Sequence, residues 1–270
     1  MERTLNGSAR PSYETILQAA DGGVLTLTLN REKTFNALND VMKKELGEAL
    51  REASRDPAVR CVVLRGAGEK AFCSGQDLKE HQGTGRSLRE SLERTYNPLI
   101  RRMREMEKPI IGMINGVAAG AGCSIALACD MRIMSSRAVL IEVFARIGLV
   151  PDSGSHWFLP RLVGTARAFE YAATARDIPA EEAERVGLVN RVVPPEQLEA
   201  VTMELARSLA GGPTRAIGLI KRTLNRALST DLGALLEYEA AIQEIASSTN
   251  DHREGLAAFM EKRKAAFTGT

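Results

Sequence analysis

The chain has 270 residues, enough for one large domain or for one domain with an appended subdomain. Hydrophobic residues make up 44% and charged residues 26%, and the formal net charge is +2. Because both signs are interspersed, this charge disfavours nucleic acid or an anionic membrane as a partner. The N-terminus lacks a signal-peptide pattern, and no apolar run approaches the roughly 18 residues of a membrane span, so we expect a cytoplasmic protein.

The cysteines and histidines give no indication of a metal site. The four cysteines show no paired CxxC spacing, and the three histidines are scattered along the chain. The cysteines could form disulfides, but three of them lie in apolar runs, which favours reduced thiols in the core. We therefore expect no metal ion.

Strand and helix patterns alternate over the first part of the chain. Residues 1–12 are polar and are expected to fray. Apolar residues alternate with Thr over 24–29, which predicts a half-buried strand, and Asn39 is expected to cap a helix over 40–55. A loop is expected over 68–83. The other expected strands are 61–66, 109–114, 131–134, 139–143 and 187–193, and the other expected helices are 87–107, kinked or split at Pro98, and 118–129.

From residue 196 onward the pattern becomes helical, with almost no strand signal. The expected helices are 196–210, 213–229, 231–247 and 252–265. We therefore predict an α/β core over 13–195 and a helical C-terminal subdomain over 196–270. The apolar stripes of these helices fit self-assembly.

Two glycine-containing loops are candidates for binding an anion. In the first, Ala71–Leu78, Gly75 allows a backbone conformation that turns adjacent N–H groups toward a ligand. The second, Asn115–Gly122, leads into a helix of small residues, whose N-terminus presents unpaired N–H groups. Either loop alone is weak evidence, since a plain turn is the common interpretation. Asp152, about thirty residues later, supplies a carboxylate between glycines.

Several ordered motifs resemble those of the crotonase, or enoyl-CoA hydratase/isomerase, superfamily over nearly the whole chain. The family's usual proline is replaced by Glu32. The matching segments are Asn36–Leu38, Ala71–Leu78, Asn115–Asp130, Gly148–Pro151, Leu159–Arg161 and Ala183–Asn190. The resemblance implies a ββα spiral core with a helical subdomain that assembles a homotrimer or a dimer of trimers.

The resemblance also implies a substrate site for an acyl-CoA thioester, with coenzyme A entering as part of the substrate and no permanently bound cofactor. The backbone N–H groups of Gln76 and Ala121 would bind the thioester oxygen, and Asp152 would move the proton. Ala121 stands where many members have glycine, a change that keeps the backbone donor. The residues implied in substrate binding are Phe35, Ala37, Ser74, Gly75, Asp77, Leu78, Gly120, Phe144 and Pro151.

The family's hydratases usually carry two glutamates, whose positions here hold Ser124 and Phe144. Neither can act as a general base, which favours isomerisation over hydration. Asp152 occupies a third position, used for chemistry by other branches. In the dehalogenase branch a histidine assists that acid, and its position here is Asn97, which argues against dehalogenation.

The branch most similar to this chain comprises bacterial isomerases of phenylacetate catabolism, which act on a ring-1,2-epoxyphenylacetyl-CoA. The segments that carry this likeness are Tyr96–Leu99, Asn115–Gly122, Gly148–Asp152 and Arg253–Gly269. Unsaturated acyl-CoA is the other expected substrate. The alternatives are an enoyl-CoA hydratase and, from another class, a non-catalytic CoA-binding or RNA-binding member.

Several polar residues have a structural and a functional interpretation. Glu142 could act as a second acid, although we expect a solvated glutamate at a strand edge. We expect His156 to pack or lie on the surface and Ser124 to pack inside a helix. The basic run of Arg101, Arg102 and Arg104 is expected on a solvated helix face, with coenzyme phosphates as an alternative contact. On the last helix, Phe259 and Lys262 could reach a neighbouring subunit's coenzyme.

Overall fold

The computed structural model describes residues 11–270, apart from the side chains of residues 81 and 84. The segment 1–12, expected to fray, lies almost wholly outside the described residues. The strands are β1 Ile16–Asp21, β2 Val24–Leu29, β3 Cys61–Gly66, β4 Ala71–Cys73, β5 Ile110–Ile114, β6 Val117–Ala119, β7 Met131–Ser135, β8 Val139–Ile141, β9 Ile178–Pro179 and β10 Arg191–Val193. The helices are α1 Asp40–Arg55, α2 Leu78–Thr84, α3 Leu88–Ser91, α4 Asn97–Glu105, α5 Ala121–Ala128, α6 Ser155–Thr174, α7 Ala180–Arg185, α8 Leu198–Ala210, α9 Thr214–Ala227, α10 Leu232–Ser247 and α11 Asn250–Glu261.

The strands form two sheets that the chain visits in turn. The six-stranded sheet has the order β1-β2-β3-β5-β7-β10, and the four-stranded sheet has the order β4-β6-β8-β9. The pairs β3/β4, β5/β6 and β7/β8 each place one strand in the first sheet and the next in the second, and helices follow each pair. This repetition is the ββα spiral, so the predicted fold class is confirmed.

Helix α1 illustrates how local sequence fixes an element. The Asn39 side chain accepts a hydrogen bond from the Met42 amide at 2.9 Å, which satisfies one unpaired N–H of the first turn. Leu46, Ala49 and Leu50 are buried as the helical period predicts. Val41 is exposed, and Met42 beside it is buried.

Three segments have a different secondary structure from the one predicted. The expected loop over 68–83 contains β4 and α2. The expected helix over 87–107 is interrupted by a π-helical turn at Leu92–Tyr96, and Pro98 follows that turn as the second residue of α4. Residues 117–119 of the small-residue stretch form β6, because a parallel pairing with β4 overrides their helical pattern.

Strand β1, helix α6, strand β9 and helix α7 were absent from the sequence prediction. Strand β1 pairs antiparallel with β2, although its residues alternate only weakly. Helix α6 contains Pro160 and non-helical backbone angles at Gly164. Those two residues disrupt the signal on which a sequence-based prediction depends.

Helix α8 and Arg60 are among the contacts that join the helical C-terminal segment to the core. Leu198, Ala206 and Ala210 on α8 pack in an apolar cluster beneath the six-stranded sheet. The Arg60 guanidinium donates to Thr214 Oγ1 at 2.7 Å and to the Phe267 carbonyl oxygen at 3.0 Å. The four C-terminal helices are close to their predicted bounds.

All four cysteines are buried free thiols, as predicted for core positions. Over residues 11–270, no helix is both long enough and apolar enough to cross a bilayer.

Candidate active site

Gly75 brings the two glycine-containing loops into contact. Its φ of +95° is a conformation that a side chain would resist, and a Cβ atom there would lie 2.7 Å from the Ala119 carbonyl oxygen. The same Cβ position is 3.4 Å from the Ala121 nitrogen. The turn after β4 therefore lies directly against the turn between β6 and α5, which places the Gln76 and Ala121 segments side by side.

The backbone around Gln76 is held by a short parallel bridge to Leu38. The Leu38 amide donates to the Gly75 carbonyl oxygen at 2.7 Å, and the Asp77 amide donates to the Leu38 carbonyl oxygen at 3.0 Å. Since these bonds come from the residues on either side of Gln76, its own N–H points away from Leu38. It is left available to a ligand.

Ala121 is the first residue of α5, where a helix lacks acceptors for its N–H groups. Gly120, with φ of +53°, turns the chain into this helix while its amide donates to the Ile141 carbonyl oxygen at 2.9 Å. A Cβ on Gly122 would lie 2.2 Å from the Cys73 carbonyl oxygen, so glycine lets α5 pack directly on β4. Nowhere in residues 11–270 is there an acceptor for the N–H of Gln76 or of Ala121.

Asp152 lies in the turn that precedes α6 and is only partly exposed. Burial raises the pKa of this carboxyl above its ordinary value of 3.8. Two groups oppose that effect: Ser153 Oγ donates to Asp152 Oδ1 at 2.8 Å, and His156 lies near enough to favour the negative charge. His156 itself is exposed, as predicted.

A cavity of about 110 Å³ joins these groups. Eight of the predicted site residues line it: Ser74, Gly75, Gln76, Leu78, Gly120, Ala121, Phe144 and Asp152. The walls also include residues from α3, from the π-helical turn and from the segment after β8: Leu88, Ser91, Leu92, Tyr96, Val143, Ile147 and Leu149. Among the described lining residues, Asp152 is the sole carboxylate.

Four predicted binding residues lie outside this lining. Asp77 caps α2 and forms an ion pair with Arg31 at 2.9 Å; burial works against ionisation, but Arg31 holds the pKa of Asp77 below its usual value. Arg31 also donates to the Ala37 carbonyl oxygen at 2.6 Å. Phe35 has a positive φ and accepts the Ser74 amide at 3.0 Å, and Pro151 is buried beside Asp152. All four support the loops that line the cavity.

Sequence analysis missed Tyr96 as a site residue. Its hydroxyl donates to Gln76 Oε1 at 2.6 Å, and Lys43 Nζ donates to the same oxygen at 3.2 Å. The Lys43 side chain is 1% exposed and pairs with Asp40 at 2.8 Å. These contacts fix the Gln76 side chain and with it the neighbouring amide. The Tyr96–Leu99 segment was noted as a mark of the family branch, but its sequence does not indicate where the Tyr96 side chain points.

A family model described as Enoyl-CoA hydratase/isomerase matches residues 19–270. The chain is 43% identical over 260 residues to the 1,2-epoxyphenylacetyl-CoA isomerase of Escherichia coli K12, an alignment that covers 95% of this chain and 99% of that protein. The chain belongs to the enoyl-CoA hydratase/isomerase family. As a member it is an enzyme of the acyl-CoA isomerase and hydratase class.

Other family members similar to this chain carry hydratase names. The short-chain-enoyl-CoA hydratase of Clostridium acetobutylicum is 36% identical over 249 residues, covering 92% of this chain and 95% of that protein. A crystal structure of an enoyl-CoA hydratase from Bacillus anthracis superposes with a TM-score of 0.89 at 35% identity, covering 95% of this chain and all of that one. Both reaction names occur among the relatives, so the choice between them is made from the residues of the site.

The two positions at which the family resemblance places hydratase glutamates carry no acid in this chain. Phe144 is buried on the cavity wall, close to Gly120. Ser124 is fully buried, with its hydroxyl 3.0 Å from the Asp152 carbonyl oxygen and 2.8 Å from Ser155 Oγ. The prediction that Ser124 packs inside a helix is confirmed, and its hydrogen bonds extend to the Asp152 turn.

Two expectations about charged residues were wrong. Glu142 is 0% exposed, because the chain turns inward after β8; it is not a solvated glutamate at a strand edge. Arg104 does not lie on a solvated helix face. Its guanidinium donates to the Ala128 carbonyl oxygen and pairs with Asp130, each at 3.0 Å, which fastens α4 to the end of α5.

A larger cavity, of about 460 Å³, lies between α4, α6 and α9. Trp157 and Phe158 line it together with Arg104 and Lys221. Neither Gln76 nor Ala121 nor Asp152 is among its lining residues, so the smaller cavity is the candidate active site.

Proposed function

We propose that this enzyme is an acyl-CoA isomerase in which Asp152 moves a proton while the N–H groups of Gln76 and Ala121 hold the thioester oxygen. The observation that carries the proposal is that Asp152 is the sole carboxylate among the described residues of the cavity. Proton transfer needs a base whose pKa is matched to the task, and burial shifts Asp152 in the useful direction.

The proposed reaction begins with the Asp152 carboxylate and ends with it unchanged. Asp152 removes a proton from the carbon alpha to the thioester or from the vinylogous gamma carbon. The electron pair moves onto the thioester oxygen as an enolate, which accepts hydrogen bonds from the Gln76 and Ala121 amides. Asp152 then returns the same proton to the other carbon, and the double bond shifts. On a ring epoxide, the ring carbon–carbon bond that the oxygen bridges opens to an oxepin, and Asp152 carries the same proton from the alpha carbon to a ring carbon. Two such donors contribute about 3–4 kcal/mol each to the stabilisation of the oxyanion.

The residues around Asp152 favour isomerisation over hydration. Hydration of a double bond needs an ordered water and a base to activate it, and the positions of the two hydratase glutamates hold Ser124 and Phe144. The buried ring of Phe144 and the hydrogen-bonded hydroxyl of Ser124 provide neither. An apolar wall beside Asp152 also keeps water from the enolate.

We propose an acyl group with an apolar or aromatic body. The cavity walls are mostly apolar, with Phe144, Leu88, Leu92 and Leu149 among them. The similarity to a 1,2-epoxyphenylacetyl-CoA isomerase makes the ring epoxide of phenylacetyl-CoA the first candidate and 3-enoyl-CoA esters the second. The Phe35 to Ala37 turn and the Ser74 to Leu78 loop are the proposed contacts for coenzyme A.

The test compares Asp152→Asn with the wild-type enzyme on ring-epoxide, 3-enoyl and 2-enoyl CoA esters. Loss of at least about a hundredfold in isomerisation is expected, because general base catalysis contributes on that order. Binding of coenzyme A should be retained, as measured by calorimetry. Asp21→Asn, which removes an exposed carboxylate paired with Arg207, is the matched control and should leave turnover unchanged.

Solvent deuterium distinguishes the reaction classes. An isomerase exchanges deuterium into recovered substrate or product at the alpha or gamma carbon, and Asp152→Asn abolishes that exchange. Wild-type turnover in Asp152→Asn, or hydration of 2-enoyl-CoA as the main activity, would contradict the proposal. Binding of CoA without turnover of any ester would point to the non-catalytic class.

A further inference from the structure

Glu142 is a fully buried acid that the proposed mechanism does not use. It directly follows β8, and its side chain has no exposure to solvent. Ser155 Oγ donates to Glu142 Oε1 at 3.0 Å, and the Cys123 thiol also donates to this carboxyl. Glu142 Oε2 has no hydrogen-bond partner among the described residues. A buried carboxyl with no cationic partner destabilises a fold, which suggests that it has a function.

The hydrogen bonds of Glu142 lead to the backbone of Asp152. Ser155 Oγ lies 2.8 Å from Ser124 Oγ, and Ser124 Oγ lies 3.0 Å from the Asp152 carbonyl oxygen. Ser124 also contacts the Gly120 carbonyl oxygen at 3.2 Å. The two hydroxyls therefore connect the end of β8 with the Asp152 turn and with the loop that carries one oxyanion donor.

The two serines of this network lie on different helices, each of which begins beside the candidate active site. Ser124 is one turn past Ala121 on α5, and Ser155 is the first residue of α6. A hydroxyl has one proton and accepts through two lone pairs, so an acceptor at Glu142 determines where the Ser155 proton goes. With the Ser155 proton directed to Glu142, the one Ser124 proton is shared between Ser155 Oγ and the Asp152 carbonyl oxygen, and the Ser155 amide donates to that carbonyl oxygen at 3.0 Å.

We propose that Glu142 is a positioning residue for Asp152. Through Ser155 and Ser124 it fixes the position of the Asp152 turn relative to the helix that begins at Ala121. The inference rests on the proposed function, since it takes Asp152 as the base. The geometric requirement is strict, because a displacement of about 1 Å between a base and its substrate can cost on the order of a hundredfold in rate.

The ionisation of Glu142 gives a second way to test its positioning role. Burial, with a smaller contribution from the nearby Asp152 carboxylate, raises the pKa of Glu142 to about 7, against the hydrogen bonds from Ser155 and Cys123. The coupling between two acids is mutual. Ionisation of Glu142 near pH 7 therefore strengthens Asp152 as a base.

The charged and titratable groups around the pair are few. Cys123 faces Glu142 from α5, with Arg132 farther along the same side. Tyr96 and His156 are the other groups that interact electrostatically with Asp152. The pKa of the Cys123 thiol and that of the Tyr96 hydroxyl are both raised well above their ordinary values by burial, so neither group titrates near pH 7.

The first experiment measures the pH profile of kcat/KM for the full-length enzyme and for Glu142→Gln. The wild-type profile should rise in a step at about pH 7, and Glu142→Gln should lack that step. A residue with a merely structural role would leave the profile unchanged. Glu45→Gln is the matched control, because the Glu45 carboxylate accepts the Thr15 amide at 2.8 Å far from the cavity. Its profile should equal that of the wild type.

The second experiment needs no substitution at Glu142, so its result tests the proposal even if Glu142→Gln fails to fold. Ser155→Ala and Ser124→Ala should each lower kcat on the order of tenfold with KM unchanged, since the proposed coenzyme contacts lie elsewhere. The double variant should be no slower than the slower single variant, because both remove one network. Independent packing effects would instead multiply.

Two outcomes separate this inference from the proposed function. Wild-type kcat in both serine variants, with an unchanged pH profile in Glu142→Gln, would overturn the positioning role while Asp152→Asn stays inactive. Full turnover by Asp152→Asn would overturn the proposed function itself. A fall in kcat with non-additive serine effects and a lost step near pH 7 supports the inference.

Discussion

At the scale of single residues, the site depends on which acid remains in the cavity. The positions at which the family resemblance places hydratase glutamates hold Ser124 and Phe144, and Asp152 is the sole carboxylate among the described residues that line the cavity. Burial raises the pKa of Asp152, and one hydroxyl and one exposed histidine lower it. Small changes around the carboxyl should therefore appear directly in the pH dependence of turnover.

Ser153→Ala tests this dependence. The base must be ionised to act, so kcat/KM should rise with pH through the pKa of Asp152, which lies above 3.8. The Ser153 hydroxyl donates to the ionised carboxylate and so lowers that pKa. Its removal should raise the pKa and move the acidic limb of the profile to higher pH.

The controls for this change are a distant serine and the neighbouring histidine. Ser229→Ala removes an exposed hydroxyl bound to the Arg226 carbonyl oxygen and should leave the limb in place. His156→Gln should move the limb in the same direction as Ser153→Ala, because it removes a nearby positive charge. A limb that moves to lower pH in Ser153→Ala would contradict the assignment.

At the scale of elements, helix α1 links fold stability to the oxyanion loop. Asn39 caps the helix, and Lys43 in its first turns reaches Gln76 Oε1 at 3.2 Å. A frayed N-terminus of α1 would therefore loosen the contact that orients Gln76. Under the proposed role of Gln76, we expect stability and catalysis to be coupled at this helix end.

Asn39→Ala should lower the free energy of unfolding by about 1 kcal/mol, the usual cost of losing a side-chain cap. Urea denaturation followed by circular dichroism measures the change, and kcat should fall by a smaller factor than in Asp152→Asn. Asp231→Ala removes the equivalent cap of α10, at which Asp231 Oδ1 accepts the Ala234 amide at 3.1 Å. It should cost similar stability and leave kcat unchanged, and equal losses of kcat in both variants would contradict the link.

Elements with strong local signals were predicted well from sequence, and those that depend on pairing were not. The Asn39 cap and the alternating residues of β2 gave correct bounds, because a cap and a period are local properties. Strand β6 formed from residues of helical pattern, since its partners come from distant parts of the chain. A local sequence pattern does not indicate which distant strands will pair with a segment.

The candidate site shows the same difference between features fixed by local sequence and features fixed by the tertiary fold. The family motifs predicted Gln76, Ala121 and Asp152 as catalytic, and all three line one cavity, while their catalytic roles stay predictions. Tyr96 was missed, because its direction depends on a π-helical turn that sequence periodicity does not signal. Glu142 was expected in solvent for a similar reason: one residue after a strand, only the tertiary fold decides whether a side chain points in or out.

At the scale of the whole molecule, the C-terminal helices expose large apolar side chains that a single chain does not cover. On α9, α10 and α11 these are Ile220, Leu224, Leu232, Leu236, Ile245, Leu256, Phe259 and Met260. Apolar surface of this kind marks an interface between protein chains. We therefore expect self-association through these helices, with a homotrimer or a dimer of trimers as the predicted state.

Leu232→Glu combined with Leu236→Glu tests the expected assembly. The two side chains are 70% and 55% exposed on successive turns of α10, so glutamates there are tolerated by a monomer and disfavoured inside an interface. Light scattering after size-exclusion chromatography should show an oligomer for the wild type and a smaller species for the variant. Leu17→Glu, on strand β1, is the control and should keep the wild-type mass. A monomeric wild type would contradict the expectation.

The four buried thiols also allow conformational opening to be measured chemically. Burial raises the pKa of Cys73 and of Cys129 to about 12, so little reactive thiolate exists at neutral pH while the fold is closed. A thiol reagent therefore modifies only molecules that have transiently opened, and the rate of labelling reports how often they do so. Because Cys73 precedes the Ser74–Leu78 loop and Cys123 lies on the helix that begins at Ala121, labelling resolved by mass spectrometry would show whether the two halves of the oxyanion site open together.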